Sequence, residues 1–252
     1  MYNLKGKTAV VTGGGSGIGK AISIVLANHG ASVHIVELNS IPDLSQELVK
    51  NSGVITSHLC DVSDQEKIYN LFQHIGKIDI LVNNAGIAHI GKADDTTEAD
   101  FDRVYRVNVK GAYNCLYSVI PLMKKNSGGV ILNMASIAAT VGLPDRFAYS
   151  TSKGAIFAIT LSVARDYLGD KIRCNCISPA RVHTPFVDGF IAKNYPGKEV
   201  EMFDKLSKSQ PIGRMAQPQE IAFMALYLCS DEASFLTGCD YLVDGGFTKL
   251  NT

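Results

Sequence analysis

Tyr149 and Lys153 stand four residues apart in a segment, Ala148 to Tyr167, whose spacing predicts a helix. Side chains four apart share one helical face. A free tyrosine, with a pKa of about 10, is a poor base near neutrality. A neighbouring ammonium stabilises the phenolate and lowers that value. The pair suits proton transfer at a hydroxyl or carbonyl oxygen. Ser136 follows an apolar run in Asn133-Met134-Ala135-Ser136 and offers a hydroxyl that could hold and polarise such an oxygen. Asn108 falls inside another helical pattern, Val107-Asn108-Val109-Lys110-Gly111, although asparagine is only a middling helix former. It could hold a water that connects Lys153 to solvent. Each residue also has an ordinary reading, since Tyr and Lys four apart are common and a polar helix position needs no special reason.

A second group of residues suits phosphate chemistry. Thr12-Gly13-Gly14-Gly15-Ser16-Gly17-Ile18-Gly19 joins an apolar run to a helical pattern. Glycines permit a tight turn and remove the Cβ atoms that would block a diphosphate. Backbone N–H groups at the helix start then face the anion. The spacing is G-x-x-x-G-x-G rather than G-x-G-x-x-G. Glu37 ends the next apolar run, eighteen residues beyond Gly19, where an acidic side chain can accept from adenosine ribose hydroxyls and repel a 2′-phosphate. Positions 14 to 16 hold no Lys or Arg, and Leu38 follows Glu37, so the expected cofactor is NAD(H) rather than NADP(H). Asp61-Val62 and Asn83-Asn84-Ala85-Gly86 end later runs. Asp61 could accept from the adenine amino group, Asn84 could bond backbone or ribose, and Ala85-Gly86 would let adenosine lie against the backbone. An oxidised nicotinamide, being positive, would further favour the Tyr149 phenolate.

Elements that would position these groups recur along the chain. Short apolar runs span Thr8–Thr12, Ser32–Glu37, Val54–Leu59, Ile78–Val82, Val130–Met134, Ile172–Ile177 and Tyr241–Val243. Their nearly continuous apolar character predicts parallel strands covered on both faces. Helical patterns lie between them. Pro42 and Pro218 suit first helical turns. Ser63 with Glu66 reads as a capping box for a helix to His74, and Thr97 as the cap of a long helix toward Met123, with Pro121 near its end. Alternating strands and helices predict an α/β, doubly wound Rossmann-type sandwich: a seven-stranded parallel sheet with helices on both faces. No linker divides residues 1–252, which read as a single domain, and the irregular stretch 181–210 reads as a substrate-binding loop or lid.

Composition narrows the function classes. Lys+Arg and Asp+Glu both number 24, giving a formal net charge of zero, without the basic excess of a nucleic-acid binder or a polybasic membrane surface. No secretory leader or membrane-length apolar run is read, so a cytoplasmic protein is expected. Cys60, Cys115, Cys174, Cys176, Cys229 and Cys239 form no C-x-x-C pair and read as small buried thiols of a reducing compartment. The histidines are scattered, and no metal site is expected.

Over essentially its whole length the chain resembles the short-chain dehydrogenase/reductase family. The matching segments come in the family's order: Thr12–Gly19, Asp61, Asn83–Gly86, Asn108, Ser136, Tyr149 with Lys153, and Asp244-Gly245-Gly246. Pro179-Ala180-Arg181-Val182-His183-Thr184 resembles the segment that holds the nicotinamide carboxamide, with Ala180 where glycine is more common. The resemblance implies that Pro179, Val182 and Thr184 bind the cofactor. It also implies that Tyr149 transfers the hydroxyl proton, Ser136 orients the oxygen, Lys153 lowers the tyrosine pKa and Asn108 completes a proton relay. A homo-oligomer, usually a tetramer built partly from the Asn108 and Tyr149 helices, is implied as well.

The implied reaction interconverts a secondary alcohol and a carbonyl. His89, Arg146, Arg181, His183 and Phe186 fall near the expected pocket, with Ser136. Arg146 and Arg181 could pair with a carboxylate or a hydroxyl-rich substrate. The segment from Arg181 onward is similar to sugar and sugar-acid dehydrogenase members, so a small polar substrate, a sugar or sugar-derived hydroxy or keto acid, is expected. The alternatives are a reductase of a hydrophobic carbonyl of 3-oxoacyl or steroid type, an epimerase or dehydratase that keeps its NAD bound, and a non-catalytic dinucleotide-binding sensor.

Overall fold

The computed structural model describes residues 2–250. Seven strands form one sheet: β1 (Thr8–Thr12), β2 (Ser32–Glu37), β3 (Ile55–Leu59), β4 (Ile80–Asn83), β5 (Gly129–Met134), β6 (Ile172–Pro179) and β7 (Asp240–Val243). Their order is β3-β2-β1-β4-β5-β6-β7, and every pairing is parallel. The central strand shows why the apolar runs are continuous. Ala9 and Val11 face one core cluster while Val10 faces the other. The first cluster lies under α1 (Gly17–Asn28) and α8 (Pro218–Cys229), and the second under α2 (Gln65–Ile75), α4 (Gly111–Lys125) and α5 (Phe147–Asp166). The edge strands β3 and β7 are the ones without a fully buried residue. The doubly wound sandwich is as expected. It places the reversal of strand order between β1 and β4, where open α/β sheets bind ligands beyond the strand ends.

Several expected element boundaries move. Pro42 starts no helix, and between β2 and β3 there is only a 3₁₀ turn, Ser45–Glu47. The Asp43 carboxylate accepts from both the N–H and the hydroxyl of Ser45, a local alternative to helix. Ser63 is not the cap of α2. Asp64 takes that role, accepting from Lys67 N at 3.1 Å, while the Ser63 N–H donates to Asp61. Thr97 does cap its helix, accepting from Asp100 N at 3.1 Å. That helix is not uniform: α3 (Glu98–Tyr105) passes into a π-helical turn, Arg106–Lys110, and then into α4. Pro121 sits inside α4, which runs on to Lys125. The stretch 181–210 is largely helical, as α6 (Pro185–Asn194) and α7 (Glu199–Lys208), and closes around a small core of its own made by Ile191, Leu206 and Met215. All six thiols are free, and five are buried.

Candidate active site

A cleft of about 520 Å³ opens at the carboxyl ends of the strands. The loop after β1 forms its floor. Gly13 has φ +62°, and a Cβ there would lie 2.9 Å from Ala85 Cα. A Cβ on Gly19 would collide with the Gly13 carbonyl, so the first turn of α1 can pack against the loop only without one. Ser16 gives α1 no side-chain cap, and Ser16, Gly17 and Ile18 line the cleft, so the helix start is presented to it. Glu37 Oε1 accepts from Gly15 N at 2.7 Å, which couples the end of β2 to the loop. Asp61, Val62, Ala85 and Gly86 line the cleft with Glu37. Asn84 also lines it, but its amide donates to the carbonyls of Thr12 and Gly13 at 3.0 and 2.9 Å, so it braces the loop. Pro179, Val182 and Thr184 close the opposite wall, with the Thr184 methyl placed 3.3 Å from where a side chain on Gly17 would stand. Ala180 has no positive φ, so alanine is accepted there without strain.

Ser136, Tyr149 and Lys153 meet at the other end of this cleft. Ser136 follows β5, and its Oγ accepts from Ala138 N at 3.2 Å, leaving the hydroxyl proton to be donated. Tyr149 and Lys153 lie on one face of α5, with Nζ 5.7 Å from the phenol ring centroid. Lys153 is only 6% exposed and donates to the Met134 carbonyl at 2.7 Å. Burial pulls its pKa down to about 8. The Tyr149 phenol is pushed above its ordinary value by burial, against a hydrogen bond from Ser136 and the charge of Arg146. The expected lowering by Lys153 is therefore not what the protein's own groups produce. Burial outweighs both the Ser136 hydrogen bond and the Arg146 charge.

Asn108 lies in the π-helical turn, beside the cleft and not in its lining. Its Oδ1 accepts from Ile87 N at 2.8 Å, and its Nδ2 donates to Ile87 O at 2.9 Å and Ser152 Oγ at 3.0 Å. The side chain thus anchors the segment after β4. A separate cavity of about 10 Å³ between Asn108, Lys153, Thr12 and Asn83 is the size of one water.

The candidate substrate residues divide. Arg146 immediately precedes α5, one turn before Tyr149, and Arg181 follows β6; both line the cleft. Phe186 lines it as well. His89 does not, and its ring faces Asp100 at 3.6 Å. His183 pairs with Asp188 at 3.0 Å, also outside the lining. Among the described residues no helix is long and apolar enough to cross a membrane.

A family model described as Enoyl-(Acyl carrier protein) reductase matches residues 13–248. A curated relative, Dehydrogenase/reductase SDR family member 6 of Xenopus laevis, is 39% identical over 249 residues, covering 98% of this chain and 100% of the relative. The chain belongs to the short-chain dehydrogenase/reductase family. The 2-keto-3-deoxy-L-fuconate dehydrogenase of Xanthomonas campestris is 35% identical, over 98% of this chain and 81% of that protein. Among solved structures, the ligand-free aldohexose dehydrogenase of Thermoplasma acidophilum superposes with a TM-score of 0.90 at 31% identity, over 97% of this chain and 95% of that one. This short-chain dehydrogenase/reductase is an oxidoreductase acting on a CH–OH group, and its family binds nicotinamide dinucleotides.

Two features of this dehydrogenase/reductase cleft escape a reading by residue type. Thr12 was visible only as part of the glycine loop. Its Oγ1 accepts from both Asn84 N and Ala85 N at 3.0 Å, so β1 holds the chain after β4 in place. Ser209, directly after α7, accepts from Arg181 Nε at 3.2 Å. A lone serine 28 residues away carries no signal of that contact.

Proposed function

We propose that the protein is an NAD(H)-dependent oxidoreductase that interconverts a secondary alcohol and a carbonyl on a small polar substrate, a sugar or sugar-derived hydroxy or keto acid. The observation that carries this reading is the convergence of Ser136, Tyr149 and Lys153 at one end of a cleft whose other end bears Glu37. The residues fit a dinucleotide. The glycine loop is a cradle that side chains would fill, the uncapped start of α1 suits a diphosphate, and Glu37 suits an unphosphorylated ribose. When bound, the nicotinamide supplies hydride transfer. Tyr149 exchanges the hydroxyl proton, Ser136 donates to the substrate oxygen, and Lys153 holds positive charge beside the phenol. Asn108 sets the Ile87 segment and borders the one-water cavity through which Lys153 would exchange protons. Arg146 and Arg181 in the lining support a polar substrate over the steroid or fatty-acyl alternative, as do the activities named for the sugar and sugar-acid relatives.

We also infer a homo-oligomer, with a tetramer as the family expectation. Tyr113 and Tyr117 on α4 and Phe147 and Leu161 on α5 are exposed large apolar side chains, suited to contact between copies.

Tyr149→Phe tests the reading, because it removes only the hydroxyl. Turnover, followed by nicotinamide absorbance over a panel of sugars, sugar acids and simple alcohols, should fall by roughly 10²-fold or more. NADH binding, followed by fluorescence quenching, should stay near wild type. Activity close to wild type would remove Tyr149 as the acid/base.

A further inference from the structure

The charged side chains that line the cleft are segregated. Glu37 and Asp61 stand at the end formed by β2 and β3, while Arg146, Lys153 and Arg181 stand at the end formed by β5, α5 and β6. The donor contact of Lys153 is the Met134 carbonyl. The two arginines remain, and among the described residues neither pairs with a carboxylate. Instead, the Arg146 guanidinium carbon lies 5.3 Å from the Phe190 ring centroid, and Arg181 donates to the Ser209 hydroxyl.

Arg181 lies within the field of Arg146. The pKa of Arg181 is pulled down chiefly by burial, and next by the positive charge of Arg146. Two half-buried cations held within each other's field, with no counter-charge, are unfavourable unless a ligand supplies one. Their mounts are rigid. The backbone of Arg146 pairs with Gly91 and opens the turn that carries Tyr149. The carbonyl of Arg181 accepts from Ala216 N at 2.9 Å. A planar, forked guanidinium on each side is suited to a carboxylate.

We propose that the substrate is a hydroxy or keto acid whose carboxylate is held between Arg146 and Arg181, with Phe190 and Ser209 as positioning residues that aim the two guanidinium groups. The inference rests on the oxidoreductase reading above and narrows it to an anion. Phe190 lies on α6 and Ser209 directly after α7, so each guanidinium is held by a different part of the segment that follows β6.

The test is paired kinetics with lactate, 3-hydroxybutyrate and gluconate against 1,2-propanediol, 1,3-butanediol and glucitol, in which CH₂OH replaces the carboxylate. The acids should be preferred in kcat/KM. Arg146→Gln and Arg181→Gln should each lower kcat/KM for the preferred acid by roughly 10- to 100-fold, mainly through KM, and change the alcohols by less than about threefold. Arg→Lys at each position should recover part of the loss, which separates charge from misfolding. Ser209→Ala should raise KM for the acid alone, and Ser209→Thr should restore it. As a readout without turnover, malonate or succinate should bind the NADH complex of the wild type, followed by NADH fluorescence, and bind the arginine variants more weakly. Equal losses on acids and alcohols, or a wild-type preference for the alcohols, overturns the inference while leaving the Tyr149-dependent oxidoreductase intact. Failure of every substrate with both cofactors, with no fluorescence response to NADH, overturns the oxidoreductase reading and the inference with it.

Discussion

Lys153→Met separates what the buried lysine costs the fold from what it does for the chemistry. The side chain is 6% exposed, and burial takes its pKa from 10.5 to about 8. A fall of that size corresponds to ~3 kcal/mol of differential cost for keeping the ammonium in the folded protein. The sign follows from proton counting. Between pH 8 and 10.5 the unfolded chain keeps a proton that the folded protein has released, so this group adds stability as pH rises. Below about pH 8 both states are protonated and the full penalty applies. Methionine has similar length, no charge and no such penalty. The variant should therefore be more stable than wild type at pH 7, by at most ~3 kcal/mol less the lost hydrogen bond to Met134 O, itself about 1.5–3 kcal/mol. That starting difference can be small. The decisive quantity is its change with pH: wild type should gain on the variant by about 2–3 kcal/mol between pH 7 and pH 10. The raised thiols and Tyr149 also titrate at high pH, but they are common to both proteins and largely cancel in the comparison. Urea unfolding of both proteins at several pH values is the assay, with turnover measured alongside. Turnover should fall by roughly 10²-fold or more in the variant. Parallel stability curves across this range would refute a buried, low-pKa lysine, whatever the activity shows.

Glu37→Ala should weaken use of NAD and narrow its advantage over NADP. It also removes the acceptor for Gly15 N, so Glu37→Gln is the needed companion; it keeps an acceptor and loses only the charge. If wild type prefers NADP, or if both variants leave the ratio of kcat/KM values for the two cofactors unchanged, the acidic strand end does not select the cofactor. Thr12→Val keeps the shape but leaves Asn84 N and Ala85 N without their shared acceptor, and should cost about 1–3 kcal/mol of stability. Urea unfolding checks this, and NADH affinity should fall with it because the same loop lines the cleft; an unchanged midpoint would show that Thr12 is not the clamp.

The sheet and the chemical end of the cleft were legible in the residues. Strand faces such as Val10 on one side and Ala9 and Val11 on the other follow from alternation along a strand, and helices on both sides make the run continuously apolar. Tyr149 and Lys153 share a face because helical periodicity puts them there. The glycine loop was readable because only glycine fits where Gly13 and Gly19 approach neighbouring backbone. Local competition decided what periodicity could not. Asp43 and Asp64 settled a turn and a helix start through short-range side-chain bonds, where the sequence pattern pointed to Pro42 and Ser63.

Contacts between distant segments were set only by tertiary structure. Asn108 binds Ile87 and Ser152, Asn84 in the cleft lining braces the glycine loop, and His89 turns to Asp100, because each side chain's partner is chosen by which chain segment packs beside it. The π-helical turn around Asn108 is likewise invisible in a pattern that reads as one long helix. Electrostatics belongs to the same class. The sequence alone determined that a lysine and a tyrosine share a face; how deeply each is buried, and so in which direction each pKa moves, depends on everything packed around them. The arginines show both halves. Their types and their places near Tyr149 and after β6 were written in the chain, while the lack of a carboxylate partner for either among the described residues, and their contacts with Phe190 and Ser209, exist only once α6 and α7 have packed beside the strand ends.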